Sequence, residues 1–131
     1  MSKSLSEIST HALAYLGDSV IELCVRKMLV ERGLSSSKHL NRASLDFVRA
    51  EAQANAVMTI LPLLSEEEAA QYRRGRNLGH TNVPKNATVG QYRMATGMET
   101  LFGYLFLQGR KDRIDQLFSA AYADKISEIN V

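Results

Sequence analysis

The chain has 131 residues, which is enough for one domain with a sizeable core and too few for two ordinary domains. Apolar residues make up 45% and charged residues 23%, a composition typical of a globular protein rather than of a disordered chain. The sequence holds no apolar run near the roughly 20 residues that span a bilayer, and no secretory signal at its start. The single cysteine, Cys24, cannot form an internal disulfide. We therefore expect a cytoplasmic protein.

The net charge is only +2, but the basic residues are concentrated. No acidic residue lies between Glu68 and Glu99, and that stretch carries five arginines and lysines, hence a charge of +5. The rest of the chain, with 11 basic and 14 acidic side chains, has a charge of −3. This distribution predicts a local binding site for a polyanion. The alternative is a solvated loop whose arginines pair with acids elsewhere in the fold.

The first half of the chain predicts two helical stretches. Ser9 and Thr10 are good N-cap residues, and apolar residues then cover most sides of a helix that reaches residue 32, where Gly33 ends it. A helix that is apolar on so many sides is central, with a face open to a partner subunit. The second stretch runs from residues 35–37 to Pro62, with a break near residues 48–49.

The second half predicts three more helices. Ser65 caps the first of them, with Glu68 at the capping-box position, and it ends in residues 72–77. A loop over residues 78–86 leads to a long helix over 88–108, which Gly109 ends, and a last helix covers 111–126. No segment shows the alternation of a strand, so we expect an all-α bundle.

Two acids lie inside apolar, glycine-bearing helices, where a carboxylate is unusual. Asp18 and Glu99 have no basic residue three or four positions away, so each must find its partner outside its own helix. If the two helices pack together, the two carboxylates meet and can bind one hard cation such as Mg²⁺. The alternative is that each acid is paired with an arginine from another helix.

The sequence gives weaker support to other kinds of catalytic or binding site. Glu22 follows Asp18 by four residues, but Arg26 follows Glu22 by four, so we assign Glu22 to an ion pair or to the second shell of the site. The three histidines and Cys24 show no zinc-ligand spacing, and Cys24 lies among apolar neighbours, unlike a reactive thiol. No phosphate-binding glycine-rich motif is present.

Three segments resemble the ribonuclease III family. Residues 12–23 (ALAYLGDSVIEL) resemble its signature helix, residues 42–48 (RASLDFV) its following helix, and residues 96–106 (TGMETLFGYLF) its second acidic helix. Both acidic helices occur in order, and the likeness covers nearly the whole chain. Residues 73–77 (RRGRN), 84–86 (PKN) and 92–93 (YR) are similar in particular to the reduced branch called Mini-ribonuclease III, which has a catalytic domain only.

This resemblance implies a ribonuclease III endonuclease-domain helical bundle over residues 1–131, without a double-stranded-RNA-binding domain. It also implies a homodimer and a Mg²⁺-dependent endoribonuclease, with Mn²⁺ as a substitute ion, that matures the precursor of 23S (large-subunit) ribosomal RNA. Asp18 and Glu99 match the family's metal-binding catalytic acids. Other acids of the full-length enzymes are replaced here by His11, Ala14 and Thr96, which puts a two-metal site in doubt.

Substrate binding is expected from the basic stretch, through phosphates and 2′-hydroxyls rather than base edges. The phosphate candidates are Arg73, Arg74, Arg76, Lys85 and Arg93, and the candidates for sugar hydroxyls are Asn77, Thr81 and Asn86. Tyr15, at the aromatic position of the signature helix, is expected at the dimer interface. The alternative for Tyr15 is ordinary core packing.

Two other functions compete with the nuclease. One is a catalytically inactive ribonuclease III fold that binds RNA as a scaffold, and the other is a helical protein–protein adaptor. The presence of both Asp18 and Glu99 argues against the scaffold, and the adaptor leaves these two acids unexplained. A ribosomal protein that presents the substrate is compatible with the sequence, but nothing in the sequence requires one.

Overall fold

The structure, a computed structural model, describes residues 4–79, 83 and 85–129. Within those ranges the chain forms α-helices and short 3-10 helices and no strand, which confirms the all-α prediction. None of the helices described is long and apolar enough to cross a membrane. The helices are α1 (Thr10–Glu31), α2 (Ser37–Val48), α3 (Ala50–Ile60), α4 (Glu66–Arg76), α5 (Val89–Leu107), α6 (Lys111–Ala121) and α7 (Ala123–Ser127), with 3-10 turns at Leu5–Glu7 and Leu61–Leu63.

The helix ends follow the capping residues that the sequence shows. The Ser9 hydroxyl accepts a hydrogen bond from the third backbone N–H of α1, and Ser65 forms a reciprocal capping box with Glu68 at the start of α4. Gly33 (φ 97°) and Gly109 (φ 73°) adopt the left-handed conformation just after α1 and α5. Only glycine takes this conformation without steric cost, which fixes where these helices end.

The break predicted near residues 48–49 is confirmed, whereas the last predicted helix is divided. Arg49 has extended angles (φ −65°, ψ 150°) and separates α2 from α3. The single helix predicted over residues 111–126 was wrong, because Tyr122 leaves the helical conformation (φ −115°, ψ 16°) and separates α6 from α7. The Tyr122 hydroxyl donates to the Phe47 carbonyl over 2.8 Å, deep in the core. Neighbouring residues in the sequence give no indication of this long-range hydrogen bond.

Helix α5 is the centre of the bundle. It packs against α1, α3, α4 and α6, and most of its residues from Ala95 to Leu105 are buried. A helix surrounded in this way is apolar on all sides, as its sequence shows. Any polar side chain on α5 therefore either meets a partner from another helix or faces a gap between helices.

Candidate active site

Helices α1 and α5 cross in backbone contact at two glycines. A methyl group on Gly17 would lie 1.6 Å from the Glu99 carbonyl oxygen, and one on Gly103 would lie 2.1 Å from the Leu13 carbonyl oxygen. Neither position therefore has room for a side chain unless the two helix backbones move apart. The two glycines bring the backbone of α1 beside the turn of α5 that carries Glu99.

This crossing places Asp18 and Glu99 together. Asp18 follows Gly17 directly, and its carboxylate lies close enough to Glu99 for a hydrogen bond between the two side chains. Asp18 is exposed and Glu99 is partly buried. The two acids meet across the two helices, which is one of the two outcomes that their lone positions in the sequence left open.

The surroundings of Glu99 disfavour its charged form. Burial raises the pKa of the Glu99 carboxyl to about 8, and the nearby negative charge of Asp18 and the hydrogen bond to Asp18 add to this. Two carboxylates in such contact repel one another unless a proton or a cation lies between them. The pair is therefore a site with affinity for a positive charge.

The composition of this pair fits a hard cation. Among the described residues, no cluster of three or more His, Cys, Asp or Glu side chains forms, so the oxygens of Asp18 and Glu99 stand without a third protein ligand of these types. Two carboxylates with the remaining positions open to water and phosphate are what Mg²⁺ commonly takes. Zinc sites, by contrast, use nitrogen and sulfur ligands.

Glu22 is engaged within its own helix. Its carboxylate accepts hydrogen bonds from Arg26 at 3.0 and 3.1 Å, in the i, i+4 arrangement that the sequence predicted. The pair is largely exposed. Glu22, which lies one turn after Asp18 on α1, therefore has its own charge partner in Arg26.

A second face of α5 meets α4, which carries the first basic residues. A methyl group on Gly75 would lie 2.2 Å from the Thr100 hydroxyl, and one on Gly97 would lie 2.7 Å from the Tyr72 ring. Thr96 lies on the same face, buried, with its hydroxyl donating to the Tyr92 carbonyl. The close approach brings the end of α4 alongside the first half of α5.

The three arginines of α4 have different surroundings. Arg73 is exposed. Arg76 is half-buried, lies 5.7 Å from the centre of the Tyr72 ring, and donates through Nε to the Asn77 side-chain oxygen. Arg74 points inward, and each of its three nitrogens donates a hydrogen bond inside the protein, two of them to Ile8 and Thr10.

The remaining candidates for RNA contact lie at the surface beyond α4. Asn77, Lys85, Asn86 and Arg93 are exposed. Arg93 is three residues before Thr96, so it lies on the side of α5 that faces α4. Thr81 falls outside the described residues. The exposed cations from the two helices thus border the same side of the bundle.

Tyr15 does not belong to the core of this chain. It is 84% exposed, three residues before Asp18 on α1. Leu23 and Val30, at 63% and 62% exposure, are also exposed apolar residues on the same helix. Ordinary core packing within one chain, the alternative considered for Tyr15, is therefore excluded.

Sequence reasoning missed the residues that hold the arginines. Tyr72 supports Arg76 through its ring, and Ile8 and Thr10 accept hydrogen bonds from Arg74. The i, i+4 spacing of Tyr72 and Arg76 was a local signal for the ring contact. The Arg74 partners lie more than 60 positions away in the chain, so no local pattern indicated them.

The comparisons with known proteins agree with this arrangement. The model of the ribonuclease III domain matches residues 11–110. A Mini-ribonuclease 3 from Brevibacillus brevis is 42% identical over 111 residues, covering 85% of this chain and 83% of the relative. A Mini-ribonuclease 3 from Enterococcus faecalis is 38% identical over 130 residues, covering 98% of each chain.

A solved structure shares the fold. The crystal structure of a Fusobacterium nucleatum protein superposes with a TM-score of 0.84 at 27% sequence identity, covering 95% of this chain and 99% of that one. The matched family region contains both Asp18 and Glu99 and the contact between α1 and α5. The chain therefore belongs to the ribonuclease III family, in its Mini-ribonuclease 3 branch, and is an endoribonuclease.

Proposed function

We propose that Asp18 and Glu99 are the catalytic acids and that together they bind Mg²⁺ for the hydrolysis of double-stranded RNA. The observation that carries this proposal is the contact of two carboxylates, one of them partly buried, across a crossing of two glycine-bearing helices. Mn²⁺ has the same preference for oxygen ligands and is expected to substitute. A bound ion would lower the pKa of a water molecule and would stabilise the negative charge that develops on the leaving 3′ oxygen.

The two acids have different tasks in this proposal. Asp18 is exposed, so a scissile phosphate can approach a metal ion that its carboxylate holds. Glu99 is partly buried and is held by the backbone contact between its own turn and Gly17. Its position is therefore fixed before the RNA arrives, which orients the site without a further ordering cost.

The substrate we propose is a duplex stem in the precursor of 23S ribosomal RNA, in the cytoplasm. Members of this family act on double-stranded RNA. The exposed cations Arg73, Lys85 and Arg93 and the half-buried Arg76 suit a phosphate backbone. Asn77 and Asn86, also exposed, are proposed to contact 2′-hydroxyls, as is Thr81, which lies between them in the sequence. Such contacts read the shape of the duplex rather than its sequence.

We further propose that the enzyme acts as a homodimer through the exposed apolar residues of α1. Tyr15, Leu23 and Val30 are all exposed on α1, and several large apolar side chains exposed on one helix mark an interaction surface. A two-fold pair places two catalytic sites along one duplex, so that both strands can be cut. A ribosomal protein that presents the precursor stem is compatible with this arrangement.

Cleavage of a precursor rRNA stem by the wild-type protein tests this function. With Mg²⁺ we expect cuts in both strands that leave 5′-phosphate and 3′-hydroxyl ends, and with EDTA we expect none. A matched duplex of unrelated sequence shows whether shape alone is read. Binding without cutting in Mg²⁺ and in Mn²⁺ would instead support the inactive scaffold.

A further inference from the structure

Arg74 lies among the basic residues of α4, but its side chain is directed to the start of the chain. Its Nε donates to the Thr10 hydroxyl over 2.9 Å, and its Nη2 donates to the Ile8 carbonyl. Its Nη1 donates to the Gln71 side-chain oxygen over 3.0 Å. All three nitrogens of the guanidinium are thus engaged, and two of them join α4 to the segment that leads into α1.

These bonds join the two parts of the proposed site. Thr10 is the first residue of α1, and Asp18 follows eight residues, or about two turns, later on the same helix. Arg73 and Arg76 are on the same last turns of α4 as Arg74. Helices α1 and α4 each pack along α5 and touch one another far less, so a direct link between them is otherwise weak.

We propose that Arg74 is a positioning residue, which fixes the cationic end of α4 relative to the start of α1 and so sets the RNA backbone in register with the Asp18–Glu99 pair. This inference rests on the proposed function. A planar guanidinium can satisfy three acceptors that lie in different directions in its plane. A lysine ammonium has comparable charge but cannot reproduce this fork.

The chemistry of Arg74 also distinguishes it from a phosphate ligand. Affinity for nucleic acid that depends on salt arises from cations that neutralise phosphates and release counterions. Arg74 is partly buried, and its donors are used by the protein, whereas Arg73 beside it is exposed. The two adjacent arginines should therefore give different signatures when they are changed.

The test compares Arg74→Lys, Thr10→Val and Thr59→Val in single-turnover cleavage of a blunt RNA duplex with Mg²⁺. Thr59 is a matched control, because its exposed hydroxyl donates only to the Asn55 carbonyl of its own helix. We expect about tenfold slower cleavage at saturating RNA for the first two variants, since misplacement by a fraction of an ångström is costly. We expect the wild-type rate for Thr59→Val.

The salt dependence of binding separates positioning from phosphate contact. We expect Arg74→Lys and Thr10→Val to keep the wild-type slope of log affinity against log salt, and Arg73→Ala to reduce it by about 0.9. If Thr10→Val and Arg74→Lys cleave at the wild-type rate, the proposal is overturned. It is also overturned if Arg74→Ala reduces the salt slope as Arg73→Ala does while its rate at saturation is unchanged.

Amide hydrogen exchange tests the link between Arg74 and the start of α1 without relying on catalysis. The N–H groups of Ala12 and Leu13 are hydrogen-bonded to Ser9, next to the Arg74 acceptors, and we expect them to exchange faster in Thr10→Val and Arg74→Lys than in Thr59→Val. A wild-type protein that cuts no RNA would refute the proposed function, while this exchange pattern would still report the link. Unchanged exchange would refute the link, even in an active enzyme.

Discussion

Gly17→Ala tests the contact on which the whole site depends. The added methyl carbon would lie 1.6 Å from the Glu99 carbonyl oxygen, 2.5 Å from its carbon and 2.9 Å from the Gly103 nitrogen. Contacts below 3.0 Å are not tolerated, so this oxygen must retreat from 1.6 Å to at least 3.0 Å, a displacement of 1.4 Å. All three obstructing atoms belong to the backbone of α5, so no side-chain rotation can relieve the clash.

Two opposing terms set the stability of this variant. Alanine is favoured over glycine inside a helix by about 1 kcal/mol. Overpacking typically costs about 1 to 3 kcal/mol, and the rigid backbone of α5 places this case near the upper end. We therefore expect a net loss of about 2 kcal/mol in the free energy of unfolding, measured by urea denaturation.

The same variant should lose activity beyond its loss of stability. A displacement of 1.4 Å between α1 and Glu99 separates the two carboxylates, and misplacement by about 1 Å can cost about 100-fold in rate. The matched control is Gly90→Ala on α5, where the nearest atom to the added methyl is 3.9 Å away. A Gly17→Ala protein as stable and as active as Gly90→Ala would refute the reasoning.

A buried ion pair, an exposed tyrosine and a surface lysine support three further predictions. Glu68→Gln should lose about 3 kcal/mol of stability, because the buried Glu68 carboxylate accepts two hydrogen bonds from Arg113 at 2.8 Å. The Arg113 hydrogen bonds hold the pKa of Glu68 below its ordinary value of 4.5, so this stabilisation is present above pH 4.5 and is lost as the pH falls through the lowered pKa. Tyr15→Ala should weaken the dimer at least about 30-fold in sedimentation equilibrium, as loss of a buried aromatic anchor does. Lys85→Ala should weaken RNA binding and reduce its salt slope by about 0.9.

A control variant at an exposed position accompanies each of the three substitutions. Glu66→Gln changes an exposed acid of the same helical turn as Glu68, and equal stability of the two variants would contradict the first prediction. Met58→Ala changes an exposed apolar residue on α3, and a Tyr15→Ala protein as dimeric as this control would argue against the α1 interface. Lys38→Ala removes an exposed cation from α2, and a salt slope equal to that of Lys85→Ala would contradict the third.

Local sequence was sufficient for most of the fold, since helix ends depend on neighbouring residues. Ser9, Ser65 and Glu68 form the predicted caps, and Gly33 and Gly109 adopt the left-handed conformation that ends a helix. The division of the last helix at a tyrosine could not be predicted in this way. It accompanies a hydrogen bond to a carbonyl 75 positions away in the chain.

The acid pair was predictable and the role of each arginine was not. Asp18 and Glu99 stood out because an unpaired carboxylate in an apolar helix requires a partner, whatever the rest of the fold. Arg73, Arg74 and Arg76 look alike in sequence, but one is exposed, one is bound to the start of the chain and one lies over a tyrosine ring. The direction of a long side chain depends on acceptors from other helices.

The most direct test of the central claim measures binding and cleavage of one RNA duplex on the same samples of wild type, Asp18→Asn and Glu99→Gln, with Mg²⁺ and with EDTA. Both variants keep the shape of the side chain and remove a charged ligand. If the two carboxylates form the catalytic metal site, both variants will bind the duplex and cleave it at least about 100-fold more slowly than wild type at saturating Mg²⁺. Cleavage by either variant at the wild-type rate would contradict the account.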